Sequence, residues 1–173
     1  MNITDSSKDT ILTHLINAAT DEIERLCGRR FKQTTHTNEL VSGTGSNKIV
    51  VRNFPITTFT ILEERTDVDP LTFETIQAGD YYVQKDSGVI ELTFDSERIL
   101  DKHRATYIAG YAAIPTDLEQ ACIAIVSDEF NARKSRGANS ETLGSYSISY
   151  AKTETNADPQ VREVINRYKR YFV

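Results

Sequence analysis

The chain is poor in the residues that do chemistry, with two cysteines and three histidines among 173 residues. It has no apolar run approaching the ~18 residues that a membrane span needs. It opens on the polar stretch MNITDSSKDT, which is no charged-then-apolar leader. These absences predict a chain made in a cytosol-like compartment and kept there until it is assembled, with no membrane contact. Cys27 and Cys122 lack the close spacing of a redox or zinc pair, and each falls on an apolar helix face, so both read as core thiols. Surplus positive charge is missing too: 20 Lys and Arg against 25 Asp and Glu give a formal net charge of -5. Neutralising phosphates calls for an excess of cations, so gripping nucleic acid is not the main task. An acidic wall past which DNA slides remains compatible with this charge.

Catalytic constellations are also absent from the sequence. His14 lies on a polar helix flank, His36 in a Thr-rich stretch and His103 in DKHRAT, and without ligand-spaced partners all three read as surface residues. There is no P-loop, GxSxG, HExxH or DxDxDG motif. Glu63-Glu64 and the Asp67/Asp69 pair fall at a strand end and in a turn, where hydration of carboxylates is free. GTGSN lacks the following helix whose amides would hold a phosphate, and reads as a hairpin turn. The expectation is a protein without metal, cofactor or enzymatic activity.

What is present is a clear succession of periodicities. A hydrophobic share of 39 % and a charged share of 26 % are those of a soluble globular protein, and the length fits one domain, 1–173. Apolar residues recur at Ile11, Leu12, Leu15, Ile16, Ala19, Ile23, Leu26 and Cys27, the pattern of an amphipathic helix over 9–27. Gly28 follows as a left-handed cap, and Arg29 and Arg30 meet the negative helix end. From about 34 to 110 the composition turns to Thr, Val, Ile, Tyr and Phe with frequent turn residues. Strands are expected at 37–41, 48–52, 57–65, 72–76, 80–84, 88–94 and 105–109. The connections are too short for helical crossovers, so pairing is antiparallel, with 81–84 against 89–92 as the central hairpin. A small sheet or open barrel of roughly five to seven strands would bury Ile49, Val51, Ile61, Val83, Ile90 and Leu92 by alternation. Asn53-Phe54-Pro55 breaks the ladder, because proline has no amide to donate.

Thr116-Asp117-Leu118-Glu119 has the form of a capping box opening a helix to about 134, and Asp158-Pro159 opens a final helix carrying Val161, Val164, Ile165, Tyr168 and Phe172. The fold class is therefore α+β: a helical core over 4–33 and 115–173, carrying an antiparallel β insertion over about 34–110. Between the last two helices, Ser145, Tyr146, Ser147, Ile148, Ser149 and Tyr150 alternate small polar with larger residues. This segment pairs either within the chain or with a neighbouring subunit. At the C-terminus, Tyr168, Lys169, Arg170, Tyr171, Phe172 and Val173 combine aromatics with cations, as binding hot spots do, although Tyr168 and Phe172 also suit packing on the helical core.

Taken in order, IERLCGRRF, LVSGTGSNKIVVRNFPIT, YIAGYAAIPTDLEQACIAIVSDEFNARKS, GSYSISY and VREVINRYKRY resemble the head-to-tail connector proteins of tailed double-stranded DNA phages, also called adaptor or head-completion proteins. The resemblance covers nearly the whole chain, and the Gly-Tyr, Ile-Pro, acidic-Leu, Ala and Arg pattern is its most specific part. It implies a structural virion protein at the head-tail junction, assembled from the host cytoplasm as a ring below the portal. A dodecamer would match the portal's symmetry, while the chain alone can remain monomeric. Such a ring completes the DNA-filled head, extends the channel for passing double-stranded DNA without reading its sequence, and docks a stopper or tail-completion protein. The resemblance assigns portal contact to Tyr168–Val173, and the alternating segment Ser145–Tyr150 is the expected subunit-subunit contact. The rival readings are another neck or tail-completion protein and, from a different class, a peptide- or glycan-binding module using Tyr81 and Tyr82 as an aromatic platform.

Overall fold

The computed structural model describes residues 8–68, 71–134, 140–143, 146–149 and 159–170. Along the chain these form α1 (Asp9–Cys27), β1 (Thr34–Val41), β2 (Lys48–Val50), β3 (Ile56–Val68), β4 (Leu71–Thr75), β5 (Tyr81–Gln84), β6 (Val89–Leu92), β7 (His103–Ala109), α2 (Thr116–Lys134), β8 (Ser140–Leu143), β9 (Tyr146–Ser149) and α3 (Pro159–Tyr168). The class is α+β, and the chain divides into two compact units: a helical unit of 1–27 and 115–169, and a β unit of 28–114 and 170–173.

In the helical unit, α1 buries Leu15, Ala19, Ile23 and Cys27, a narrow i, i+4 stripe. Leu118, Ala121 and Ile125 of α2 and Val161 and Ile165 of α3 supply the remaining buried apolar side chains. The Cys27 thiol is buried and lies 3.6 Å from the carbonyl of Ile165, and Cys122 is half-buried, so neither is in a disulfide and both serve packing. Ile11 and Ile16, expected on the buried face, are exposed because the stripe advances by four residues at a time and leaves them to one side. The first turn of α2 also differs from the expected capping box. The Glu119 amide donates to the Pro115 carbonyl at 3.1 Å, which makes Thr116 part of the helix, and it is the Asp117 carboxylate that takes the Leu118 amide at 3.0 Å.

All seven expected strands of the β unit form, but in two sheets in place of one sheet or barrel. One has the order β1-β7-β3-β4 and the other β2-β6-β5. The 81–84 and 89–92 hairpin forms in the expected register, Tyr81 opposite Leu92 and Gln84 opposite Val89. GTGSN is not a hairpin turn, since β1 and β2 pair with different strands. Its amides instead reach across, Gly43 to the carbonyl of Ile99 and Gly45 to that of Ser96. The shared core is Val41, Ile49, Val51, Ile56, Leu62, Ile76, Ile90, Leu92, Ala105, Tyr107 and Ala109, with Val83 half-buried against it. Leu62 takes the place expected for Ile61. Register shifts between Ile56 and Thr58 and between Phe59 and Ile61 each move β3 by one residue, and a one-residue slip exchanges the two faces.

Strand β7 alternates without a break, burying His103, Ala105, Tyr107 and Ala109. His103 is therefore a core residue and not a surface one, its Nε2 lying 2.7 Å from the buried Ser96 hydroxyl. The strand ends at Gly110, whose φ of +107° and crowded surroundings suit glycine alone. A Cβ there would stand 2.7 Å from the carbonyl oxygens of both Phe31 and Lys32. This close approach lets Tyr111 donate to the Phe31 carbonyl at 2.7 Å and accept from the Gln33 amide at 3.1 Å, which fastens both ends of the β unit side by side. Gly110→Ala is expected to lower stability by more than about 1 kcal/mol, read as a lower urea midpoint with an unchanged m-value.

Candidate assembly interface

Polar side chains of the β unit gather where the Asn53-Phe54-Pro55 break faces β1 and β7. The Phe54-Pro55 peptide is cis. Arg29, expected only to meet a helix end, is buried: it stacks on Phe54 at 3.8 Å and Phe31 at 5.1 Å and donates to the Phe54 carbonyl at 2.8 Å. The Arg30 amide donates to the Asn53 side-chain oxygen at 2.8 Å. Glu39 is the hub, accepting from the Arg52 amide at 2.7 Å, the Tyr107 hydroxyl at 2.9 Å and the Asn53 side-chain nitrogen at 3.4 Å. Burial and the nearby Glu39 charge push the Tyr107 hydroxyl far above its ordinary range, so it stays a donor. His36 stacks on Tyr107 with ring centroids 5.0 Å apart. Burial holds both His36 and His103 below the usual histidine range, against a weaker upward pull from a nearby carboxylate in each case.

The C-terminal residues singled out in the sequence divide between the two units. Tyr168 is half-buried in the helical unit and donates to Asp117 at 2.8 Å, and Arg167 reaches the other oxygen of the same carboxylate at 3.1 Å. Asp117 thus holds the last turn of α3, a role that its place in an apparent capping box concealed. Lys169 is exposed, whereas Arg170 is half-buried in the β unit and donates to the Val50 carbonyl at 3.3 Å. Tyr171, Phe172 and Val173 lie outside the described residues. Of the alternating segment, Tyr146, Ser147, Ile148 and Ser149 form β9 and pair antiparallel with β8 of the same chain, Ser140 opposite Ser149 and Leu143 opposite Tyr146. Ser145 and Tyr150 lie outside the described residues.

No aromatic platform forms at Tyr81 and Tyr82, because successive strand residues point to opposite faces. Tyr81 packs on Phe59 with centroids 5.6 Å apart, and Tyr82 alone is exposed. Among the described residues there is no group of three or more potential metal ligands and no helix long and apolar enough to cross a membrane. The surface does carry exposed large apolar side chains that the sequence patterns did not single out: Ile123 on the helical unit, and Leu40, Val68, Leu71 and Leu100 on the β unit.

Comparison with known proteins decides the family. A family model described as "Head completion protein" matches residues 1–171. The chain belongs to the head completion protein family. The fold of this head completion protein is similar to that of a chain in the neck of an empty gene transfer agent (GTA) particle computed with C6 symmetry. The two share 16 % identity with a TM-score of 0.62, over 100 % of this chain and 84 % of that one. It is also similar to a chain in the neck of a native GTA particle computed with C12 symmetry, at 17 % identity and a TM-score of 0.58, over 94 % and 84 % of the two chains. A third match, in the virion of a native GTA particle, has 16 % identity and a TM-score of 0.52, over 96 % and 80 %. No curated protein matches the chain.

In this head completion protein, Asp117→Ala is expected to loosen α3, with faster amide hydrogen exchange over 159–168 and about 1 kcal/mol lost overall. Asp117→Asn, which keeps an acceptor for Tyr168, should lose less. The histidines give a pH dependence of fixed sign. Above their unfolded pKa of about 6.5 both are neutral in either state and stability is complete. As pH falls below that value the unfolded chain takes up protons that the native chain resists, so stability drops, by at most about 1.4 kcal/mol per pH unit for a single group. The urea midpoint should therefore fall between pH 7.5 and pH 5, and more gently in the His36→Gln, His103→Asn double variant.

Proposed function

We propose that this chain is a structural neck protein of a phage-like particle, assembled as a ring beneath the portal after the head has filled. The observation that carries this reading is the family match over residues 1–171, supported by fold similarity over the full chain to components of GTA necks. The C6 and C12 symmetries of those necks suit a dodecameric ring. A net charge of -5 suits a channel wall along which DNA passes without being held. In this reading the helical segments form the frame, and the β unit is an insertion in it that faces other neck components. The lower face docks a stopper or tail-completion protein.

Portal contact is assigned to the C-terminal residues Tyr168 to Val173, and subunit contact to the β9 hairpin with its flanking residues Ser145 and Tyr150. Tyr168 and Arg170 are already engaged within their own units. The portal-facing part of that set is therefore exposed Lys169 together with Tyr171, Phe172 and Val173. The edges of a two-stranded hairpin suit strand addition between copies.

Mixing the purified chain with the portal complex of its particle should give a larger co-migrating species, with a copy number of twelve by mass measurement if the ring follows the C12 neck. A chain ending at Arg170 keeps every contact of Tyr168 and Arg170 described above, so it should fold with an unchanged melting curve and fail to co-migrate. Undiminished binding by that shortened chain would refute the C-terminal assignment, and absence of any complex with the intact chain would refute the portal reading as a whole.

A further inference from the structure

The four-stranded sheet ends in β1 on one side and β4 on the other, with no further strand beyond either among the described residues. Peptide groups alternate sides along a strand, so one known bond orients its neighbours. The Ile76 amide donates to the Leu62 carbonyl of β3, which turns Thr72 and Glu74 toward β3 and Leu71, Phe73 and Thr75 away from it. At the other end, the Gly110 amide donates to the Pro55 carbonyl and the Arg65 amide donates to the Lys102 carbonyl, so the even-numbered residues of β7 face β3 and the odd-numbered ones face β1. His36 and Glu39, opposite Tyr107 and Ala105, therefore turn inward, and Thr35 and Leu40 turn outward. The main-chain amides and carbonyls of Thr35, Leu40, Leu71, Phe73 and Thr75 have no hydrogen-bond partner among the described residues.

Edge strands are usually blunted by proline, lysine or a bulge, and β4 has none of these. The irregularity in its ladder lies on β3, between Arg65 and Asp67. Strand number decides what such an edge can accept. Four antiparallel strands leave two edges that run in opposite directions, and here the outward peptide groups of both belong to residues on the same face of the sheet. Thr35 and Leu40 lie beside Ile108 and Arg104, and Thr75 lies in line with Glu63 and Arg104, all on the face opposite the buried Tyr107. The edge of β4 therefore matches the edge of β1 in direction and in pleat. The three-stranded sheet has no such match: its edges β2 and β5 run parallel, and the Val50 carbonyl of β2 accepts from Arg170.

We propose that β4 of one copy pairs antiparallel with β1 of the next copy, Leu71 opposite Leu40 and Thr75 opposite Thr35, so that the sheet runs on from copy to copy. In this register the two leucines, 60 % and 49 % exposed, cover each other. Thr72 falls opposite Glu39, and Glu74 falls opposite His36, which lies within reach of the charges of Arg30 and Arg52. No like charges meet across the ladder. The extra residue that β1 carries between His36 and Glu39 sits opposite Phe73. The two edges are different patches, so the contact is head-to-tail and propagates around a closed ring. The inference rests on the ring reading above and adds a main-chain contact that closes the ring.

The test uses the full chain assembled on its portal complex. With Thr35→Cys and Thr75→Cys in one chain, mild oxidation of assembled rings should give a ladder of disulfide-linked multimers on a non-reducing gel. Within one copy the two positions lie at opposite edges of the sheet, about 14 Å apart at ~4.8 Å per strand, too far for a disulfide. Either single variant, and the unassembled double variant, should stay monomeric, as the native Cys27 is buried and Cys122 half-buried. Independently, Thr75→Pro removes an outward amide and no bond to β3, so that chain should keep the wild-type melting curve and lose at least about tenfold in ring yield. Thr35→Pro should do the same from the other edge. Rings that form from the double-cysteine chain without cross-linking overturn the contact, leave the ring standing and give the edge of β4 to a strand of another neck protein. Wild-type ring yield from the Thr75→Pro chain overturns it equally. A wild-type chain that forms no ring on the portal overturns both the contact and the ring.

Discussion

The hydroxyl of Tyr107 is sealed from water, and a buried hydroxyl without partners costs on the order of 1–3 kcal/mol. It is satisfied twice, donating to Glu39 and accepting from the Asn53 amide at 3.2 Å. Those two partners come from β1 and from the break that follows β2, so one side chain of the central strand fixes where the first sheet meets the second. Asn53 passes the constraint on to the Arg30 amide, and Glu39 passes it to the Arg52 amide. A network of this kind specifies a single arrangement because each member is satisfied only when the others are in place.

The outer faces of the sheet show the same economy with charge. Arg104 forms a two-pronged pair with Glu63 at 2.6 and 2.7 Å while stacking over Phe73 at 4.3 Å. Lys102 bridges Glu64 at 3.1 Å and Glu97 at 2.8 Å. These partly buried pairs neutralise cations locally. The net negative charge of the chain is thus not the same everywhere, and Arg52 stands out as a cation whose guanidinium has no such pair among the described residues.

Much of the fold was legible in the sequence because helix and strand periods are local signals. The ends of α1 and α2, all seven strands and the 81–84/89–92 register follow from spacing and turn residues. The division into two sheets was not legible, since strand partners are chosen by packing over long separations, as with β1 and β7. Ile61 was misplaced by two register shifts that leave no mark in composition. His103 could have been found: extending the inward alternation of Tyr107 and Ala105 back by two residues puts it in the core. Burial of Arg29 had only a faint signal, the aromatics Phe31 and Phe54 on which it stacks. Of the candidate interface, the C-terminal aromatics were visible as composition, but the tether of Tyr168 to Asp117 joins residues 51 positions apart. The exposure of Val68 and Leu71 was hidden because two apolar residues beside turn residues look no different from ordinary strand ends.

The closeness of Phe31 and Lys32 to Gly110 and Tyr111 bears on the order of folding. Helices α1 and α2 are separated by the whole β unit, and closing so long a flexible loop costs about 2 kcal/mol more than closing one a tenth as long. Once the β unit has folded, its two ends are held together by the Tyr111 and Gln33 hydrogen bonds, and that entropy is already spent. The helices then meet as if joined by a short connection. Formation of the β unit before the helical unit is the kinetic order that this arrangement favours.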